Sequence, residues 1–149
     1  MSHANFNVSL KLILVNSKKQ ILGLKVPTTS YFAGFYDLPG GRINVNELHY
    51  DFVKTLKREI KEEIGNLKIK ITEMPITAVK YIVPSKVRPN KKDLPVMYTF
   101  FVARYISGKI KLSWEHDGYE WLEVNKKNVD KYFFKNYLAG VKQYLNLHN

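Results

Sequence analysis

The segment from residue 52 to residue 64 constrains the fold most, because it carries a strong helical signal. Apolar residues recur there at the spacing of a single helix face, at Phe52, Val53, Leu56, Ile60 and Ile64. Gly65 and Asn66 follow as a stop signal. The pattern predicts an amphipathic helix that buries one side.

An acidic arc borders this apolar stripe. Glu59, Glu62 and Glu63 share about 100° of the helix surface. Three carboxylates packed so closely repel one another, so cations, water or a bound metal ion must offset the repulsion. One interpretation is a solvated helix whose acids pair with Arg58 and nearby lysines, each pair contributing about 0.3 kcal/mol. The other interpretation is a metal site.

The loop ahead of the helix favours the metal site. The letters LPGGR at residues 38–42 deliver bare glycine backbone next to the carboxylates. Carboxylate and carbonyl oxygens are hard ligands that suit Mg²⁺ or Mn²⁺, and such ions bridge readily to phosphate oxygens. The two segments together therefore predict a divalent metal that binds phosphates.

The rest of the chain shows strand patterns and a second helix. Residues 6–15 and 21–26 predict a hairpin, residues 31–38 an extended segment and residues 39–41 a turn. Further strands are predicted over residues 67–83, with an interruption at Pro75, and over 96–106 and 118–124, whereas 84–95 is an exposed loop and 132–145 a helix. This order predicts an α+β fold with a mixed sheet between helices.

Composition narrows the class of protein further. A chain of 149 residues with 45% hydrophobic content fits one globular domain over residues 1–149. The net charge of +11 attracts nucleotides, nucleic acids or anionic membranes, or else the lysines only supply solubility. With no cysteine, disulfides and thiolate sites are excluded. Because no secretory signal or membrane-length apolar segment is evident, we expect a soluble cytoplasmic protein that does not contact membranes.

The segment from Gly41 to Gly65 resembles the Nudix box. That pattern reads Gly, five residues, Glu, seven residues, Arg-Glu, an apolar residue, any residue, Glu-Glu, any residue, Gly and an apolar residue. The matching positions are Gly41, Glu47, Arg58, Glu59, Ile60, Glu62, Glu63 and Gly65, preceded by the usual lead-in of Leu38, Pro39 and Gly40. An ordered set of this size is far more specific than a lone Glu-Glu pair.

Three departures from the box stand out. Ten residues separate Glu47 from Arg58 where the pattern has seven, Asn66 replaces an apolar residue, and asparagines at 44 and 46 replace a frequent Glu and Gly. Counting back from Arg58 places Asp51 at the helix N-cap. Residues 48–50 are therefore interpreted as a loop insertion that leaves the carboxylate face intact and the role of Glu47 open.

The resemblance implies an α/β/α sandwich and hydrolysis of a diphosphate linkage in a nucleoside diphosphate derivative. Nucleoside triphosphates, nucleotide sugars and dinucleotides are all eligible substrates. It also implies Mg²⁺ or Mn²⁺ held by Glu59, Glu63, Glu62 and the Gly41 carbonyl, with Arg58 orienting a carboxylate. The general base is Glu62 or Glu115 of a later loop, although for Glu115 the role of a solvated loop acid is preferred.

Residues expected near the substrate are less specific. Arg42, Phe32, Tyr36 and Arg88 are candidate substrate contacts. Lys91 and Lys92 are candidates for phosphate, and Phe35, Tyr81, Phe133, Phe134 and Asn136 for a base, each competing with an ordinary core or surface role. For His116 a surface or capping role is preferred over proton transfer.

A second function remains open at this level. The excess charge and the basic loop also suit a catalytically idle Nudix-like module that binds nucleic acid and loses affinity with salt. An enzyme acting on an RNA 5′ end would combine both. The sequence does not specify the substrate or the oligomeric state.

Overall fold

The structure is a computed structural model that describes residues 1–88 and 92–148. In chain order its strands are β1 (Asn7–Val15), β2 (Ile21–Lys25), β3 (Tyr36–Asp37), β4 (Gly40–Arg42), β5 (Lys68–Ile71), β6 (Thr77–Val83), β7 (Leu94–Ser107) and β8 (Gly118–Leu122). The helices are α1 (Phe52–Ile64), α2 (Val129–Tyr132) and α3 (Lys135–Leu147), and short 3-10 turns occupy Val45–Glu47 and Ser85–Val87.

The strands form one mixed sheet. Strand β1 runs parallel to β7, with register from Asn7 opposite Val96 to Val15 opposite Arg104. The path of the sheet is β3-β2-β1-β7-β5, and β4, β6 and β8 pair with β1, β7 and β2. Those other pairings are antiparallel. The mixed sheet that the sequence predicts is therefore confirmed.

Helices cover both faces of the sheet, because successive side chains of a strand point to opposite sides. Leu10, Leu12 and Leu14 of β1 pack with Leu56 and Ile60 of α1 in one buried cluster. On the other face, a second cluster joins the sheet to α3: Ile13, Phe100, Tyr137 and Val141. This layering confirms the α+β class and the expected α/β/α sandwich.

The ends of α1 are fixed by local chemistry. The Asp51 carboxylate accepts a hydrogen bond from the Lys54 N–H at 2.8 Å, which caps the first turn. Gly65 ends the helix with a φ of 99°. Both ends match the sequence prediction, and residues 48–50 lie in the turn between the 3-10 turn and α1.

Four predicted elements are wrong in detail. Residues 31–38 are not one extended segment, because successive turns fold residues 27–35 and only Tyr36–Asp37 is strand. The predicted turn at 39–41 is instead occupied by the start of β4, which pairs with β1.

The last helix does not begin at Tyr132, where α2 ends. Phe133 is extended and buried in the core, and α3 starts at Lys135. The predicted loop 84–95 contains a 3-10 turn and gives way to β7 at Leu94; residues 89–91, including Lys91, lie outside the described residues. In the described part of the chain, no helix combines the length and apolarity that crossing a bilayer requires.

Candidate active site

Two glycines let strand β4 lie close to its neighbours, β1 on one side and α1 on the other. Gly40 has a φ of +125°, and a Cβ there would collide with the Leu10 carbonyl. A Cβ on Gly41 would stand 2.6 Å from the Glu59 Oε1 atom. The bare backbone of Gly41 therefore makes room for the acidic face of the helix, whereas that of Gly40 lets β4 lie close against β1.

The backbone contact with the acids comes from Gly40. Its N–H donates to the Glu63 Oε1 atom at 3.3 Å, and its carbonyl accepts from the Lys11 ammonium at 3.4 Å. Gly41, which the sequence singles out, stands opposite Leu10 in the pairing of β4 with β1. Gly40 is thus the glycine whose backbone bonds to the carboxylate face.

Arg58 is the centre of the acidic face. Its Nε and Nη2 atoms donate to Glu47 at 2.9 and 2.5 Å. Its Nη1 atom donates to Glu59 at 2.8 Å and to Glu62 at 3.0 Å. These bonds raise the pKa of Arg58, above all the bond to Glu47. The structure thus assembles three of the predicted box residues around the guanidinium of a fourth.

Glu47 lies buried beside Arg58 and has a structural role there. It is only 3% exposed, and its Oε1 atom also accepts from the Asn44 N–H at 2.9 Å. The hydrogen bonds from Arg58 lower the pKa of the Glu47 carboxyl. The spacing to Arg58 left its role open, whereas the fold shows that it anchors the arginine.

The three glutamates of α1 differ sharply in exposure. The Glu62 side chain is 63% exposed and the Glu59 side chain 14%. Glu63 is only 7% exposed, and burial raises its pKa to about 7 although Lys11 opposes the shift. Burial also raises the pKa of Glu59, with Arg58 opposing. Burial therefore disfavours the charged form of both inner carboxylates, and the nearby cations offset this only in part.

The donor set fits a hard divalent cation in its chemistry. Glu59 and Glu63 offer carboxylate oxygens next to the backbone of β4, and an ion such as Mg²⁺ completes its shell with water. Within residues 1–88 and 92–148, however, no three acidic or histidine side chains already converge as a metal cluster. Arg58 Nη1 bridges Glu59 and Glu62 instead, so holding an ion at this face would require these two acids to reorient.

A second polar cluster lies buried beside Glu63. Asp37 accepts from the Lys11 ammonium at 3.2 Å and from the Tyr137 hydroxyl at 2.6 Å, while its other oxygen meets His116 Nε2 at 2.8 Å. Burial would raise the pKa of Asp37, but Lys11 and the hydrogen bonds lower it well below its usual range. We call Lys11, Asp37, His116 and Tyr137 the Asp37 cluster.

The sequence interpretation of His116 as a surface or capping residue is wrong. Its side chain is only 5% exposed and is held by Asp37. Burial would lower the pKa of His116, but Asp37 raises it above the ordinary value. The cluster was missed because its members come from β1, β3, a loop and α3. Alternating patterns gave no reason to distinguish Lys11 or Asp37 from surface residues.

The loop that carries His116 is tied at both ends. Lys111 and Ser113 donate backbone N–H groups to the Ile64 and Glu63 carbonyls, each at 2.9 Å, and Asp117 donates to the Lys25 carbonyl at 3.0 Å. Between these bonds Trp114 is 90% exposed and Glu115 is also exposed. We call residues 108–117 the tied loop.

An aromatic cavity of about 260 Å³ opens beside the tied loop. Its aromatic side chains include Phe32, Phe35, Tyr36, Phe134, Tyr98 and Tyr137, and it also contacts Asp37, Glu115, His116 and Asn136. Phe32 and Phe35 pack against Phe134, with ring centroids 5.7 and 5.2 Å apart. Phe32, Tyr36 and Glu115 thus line one cavity, whereas Phe133 belongs to the core.

A second cavity of about 260 Å³ brings the two predicted arginines together. Arg42 and Arg88 both line it, and Tyr98 contributes to this cavity and to the aromatic one. Lys92 is exposed and lines neither cavity, although its carbonyl accepts from Arg88 Nη1 at 2.8 Å. A basic cavity therefore adjoins the aromatic one through a shared wall.

Comparison with known sequences identifies one family. A sequence model of the family described as NUDIX domain matches residues 6–137. Among curated proteins, none matches the chain.

Solved structures share the fold. A MutT protein from Methanosarcina mazei Go1 superposes with a TM-score of 0.71 at 20% identity, covering 100% of both chains. The dihydroneopterin triphosphate pyrophosphohydrolase of E. coli gives 0.67 at 16% identity, covering 95% of this chain and 98% of its own. A MutT NUDIX hydrolase from Burkholderia pseudomallei gives 0.66 at 19% identity, covering 98% of this chain and 100% of its own.

Proposed function

This chain belongs to the NUDIX domain family, and from that premise we propose that it is a divalent-metal-dependent pyrophosphohydrolase. Its substrate is a nucleoside diphosphate derivative, and the bond it cleaves is a diphosphate linkage. The metal is Mg²⁺ or Mn²⁺, because the donors are hard oxygens. We place the enzyme in the cytoplasm, with which its lack of cysteine is compatible.

One observation carries the proposal. Glu59 and Glu63 lie on the edge of α1 that faces the glycine strand, with Glu62 exposed beside them, and Glu63 is buried with a pKa raised to about 7. A folded chain gains no stability from such a group, because burying an incompletely neutralised carboxylate costs free energy. The arrangement is therefore explained by the cation that it binds.

Different residues of the site have different proposed roles in hydrolysis. A bound divalent ion would neutralise phosphate charge and lower the pKa of water. Glu59 and Glu63, with a glycine carbonyl of β4, are the proposed ligands, and Arg58 orients Glu59 and Glu62. Glu62 is exposed and close to that face, so it is the first candidate for general base. Glu115 at the mouth of the aromatic cavity is the second.

The two cavities suit the two ends of a nucleotide. Phe32, Phe35 and Phe134 offer ring faces and edges to a base, while Arg42 and Arg88 offer guanidinium groups to phosphates. Their shared wall at Tyr98 keeps both sites within reach of one ligand. The E. coli neighbour is named for a triphosphate joined to a heteroaromatic ring, which agrees with a substrate of this form.

The competing prediction of an idle, nucleic-acid-binding module is not favoured. The family assignment covers the carboxylate helix, and all three glutamates are present on one face. Action on the 5′ end of RNA remains part of the substrate range to be tested, since it uses the same diphosphate chemistry.

The experiment is a substrate screen with identification of products. Nucleoside triphosphates, nucleotide sugars, dinucleoside polyphosphates and 5′-triphosphate RNA are incubated with Mg²⁺, Mn²⁺ or EDTA. We expect hydrolysis of at least one class that requires metal and falls about a hundredfold or more in Glu63→Gln.

Glu73→Gln is the matched control, because Glu73 is exposed and lies outside the site. Full activity of Glu63→Gln, or hydrolysis unaffected by EDTA, would exclude the proposed mechanism.

A further inference from the structure

Three adjoining cavities follow one side of α1, where the helix faces β5 and the tied loop. Their volumes are about 870, 330 and 720 Å³. The first shares Lys57 and Ile69 with the second, and the second shares Lys61, Gly65 and Asn66 with the third. The row therefore forms one groove that runs the length of the helix, about 20 Å.

Positive charge dominates this groove. Its lysines come from α1, β5 and the tied loop: Lys54, Lys57, Lys61, Lys68, Lys70, Lys109 and Lys111. All of them are exposed, and in the part of the chain that the structure describes none takes part in a salt bridge. Of the acids that line the groove, Asp51 already caps α1 and Glu62 already accepts from Arg58, which leaves Glu73. We call this feature the lysine groove.

Exposed aromatic residues accompany both ends of the lysine groove. Tyr50 and Phe52 line its first cavity, and each is 41% exposed. The Lys54 ammonium lies over the Tyr50 ring, 3.9 Å from the centroid. At the other end Trp114, which is 90% exposed, follows Ser113 of the third cavity. Ammonium groups that follow a groove, with free rings beside them, suit a single nucleic-acid strand whose phosphates meet the charge and whose bases stack.

The insertion at residues 48–50 contributes to this surface. These residues lengthen the spacing between Glu47 and Arg58 beyond the box pattern, and their last member, Tyr50, lines the groove. None of them lines the aromatic cavity or the basic cavity. The main departure of this chain from the box therefore builds part of the lysine groove.

We propose that the lysine groove binds a single strand of nucleic acid, RNA or DNA. An acidic protein segment matches the charge alone, whereas a nucleic-acid strand uses the charge and the exposed rings together. The groove shares no lining residue with the two cavities assigned to the nucleotide, so this second binding surface goes beyond the proposed function. Its third cavity includes Glu62, so a bound strand passes beside the candidate active site.

The first test measures binding without hydrolysis. Labelled single-stranded oligonucleotides of about twelve residues, of RNA or of DNA and with 5′-hydroxyl ends, are titrated in EDTA by fluorescence anisotropy at several salt concentrations. We expect at least one of them to bind, with an affinity that falls steeply as salt rises. Binding of RNA alone identifies RNA as the partner, and binding of both identifies a strand of either kind.

Charge removal tests where the strand lies. A triple variant neutralises the middle of the groove: Lys57→Gln, Lys61→Gln and Lys68→Gln. We expect its affinity to fall by about tenfold or more, and the slope of log K against log salt to become shallower by about 2, since each phosphate contact contributes about 0.7. The matched control removes the same charge at exposed lysines outside the groove: Lys18→Gln, Lys127→Gln and Lys142→Gln.

The contribution of the rings is tested at Tyr50. Tyr50→Ala should weaken binding about tenfold, because a stacked base loses its platform. Tyr50→Phe keeps the ring and should bind like the wild type. An unchanged affinity in Tyr50→Ala would overturn the inference, since the rings are what favours a nucleic acid over another polyanion.

Three further results would overturn it. These are no binding of either strand to the wild type, an equal loss of affinity in the two triple variants, and equally tight binding of an oligoglutamate of the same charge, which would identify an acidic protein segment instead. The oligonucleotides carry no diphosphate and the buffer contains no metal. Failure of the proposed hydrolysis therefore leaves these measurements unaffected, and failure of strand binding leaves the hydrolysis of small nucleotides unaffected.

Discussion

Two charged regions meet at Glu63, and they are built in opposite ways. On the outer face of α1 one guanidinium, Arg58, bonds to three carboxylates, and Glu63 receives only a weak backbone contact. In the Asp37 cluster one carboxylate receives an ammonium, an imidazole and a phenol. The first region is short of positive charge, which suits the proposed cation, whereas in the second the central carboxylate of Asp37 is fully paired.

The largest expected effect tests whether the Asp37 cluster is structural. In Lys11→Met the buried Asp37 loses its main cation, and breaking a buried pair costs about 3–5 kcal/mol of unfolding free energy. Urea unfolding followed by circular dichroism measures the loss. Lys18→Met, at an exposed lysine, is the control. A cost near that of the control would mean that the cluster does not hold the fold.

For the acidic face we expect a substitution to raise the free energy of unfolding instead of lowering it. The pKa of Glu63 is raised from 4.5 to about 7 in the folded state, so without metal the stability of the wild type falls as the pH rises between these values. Glu63→Gln removes that loss. The variant should match the wild type below pH 4.5 and exceed it above pH 7 by up to about 3 kcal/mol.

Denaturant melts across this pH range in EDTA measure that difference. An equal stability of the two proteins at pH 8 would show that Glu63 is neutralised by its surroundings. The contrast between the two regions would then disappear.

The role of Arg58 in the acidic face can be tested by measuring catalytic activity. Arg58→Lys keeps a positive charge but cannot form the paired bonds to Glu47 while bridging Glu59 and Glu62. We expect kcat to fall about tenfold with little change in melting temperature. Arg104→Lys, at an exposed arginine of β7, is the control. Unchanged kcat would show that charge alone suffices.

The smallest effect concerns the start of α1. Asp51→Ala removes the side-chain cap on the Lys54 N–H and should cost about 1 kcal/mol of stability. Activity per folded molecule should stay unchanged, because the glutamates lie two turns further along the helix. Thermal unfolding and a kinetic assay on the same sample measure both. A large loss of activity at full folding would tie the cap to the catalytic face.

The same contrast explains what could be predicted from the sequence. The acidic face lies on one helix, so its spacing, the cap at Asp51 and the stop at Gly65 could be read along the chain. Glu47 needed the path of the loop ahead of α1 to reach Arg58. The Asp37 cluster depends on residues 11, 37, 116 and 137, which only the sheet and α3 bring together.

The sequence pattern also failed to predict some local turns. Residues 31–38 carry four aromatic residues, which suggests a strand, but consecutive turn hydrogen bonds fold residues 27–35 so that Phe32 and Phe35 reach Phe134. The break between α2 and α3 has a similar cause, because Phe133 enters the core in an extended conformation. In both places tertiary packing overrides local propensity.

The tied loop sets where this enzyme can change over evolution. Its backbone is anchored near Glu63 at one end and to β2 at the other, so adding or deleting a residue there would displace His116 and the end of α1 together. Trp114 and Glu115 lie between the anchors with exposed side chains. A substitution at Glu115, which lines the aromatic cavity, can therefore alter what that cavity admits while the anchored backbone beneath it stays constant.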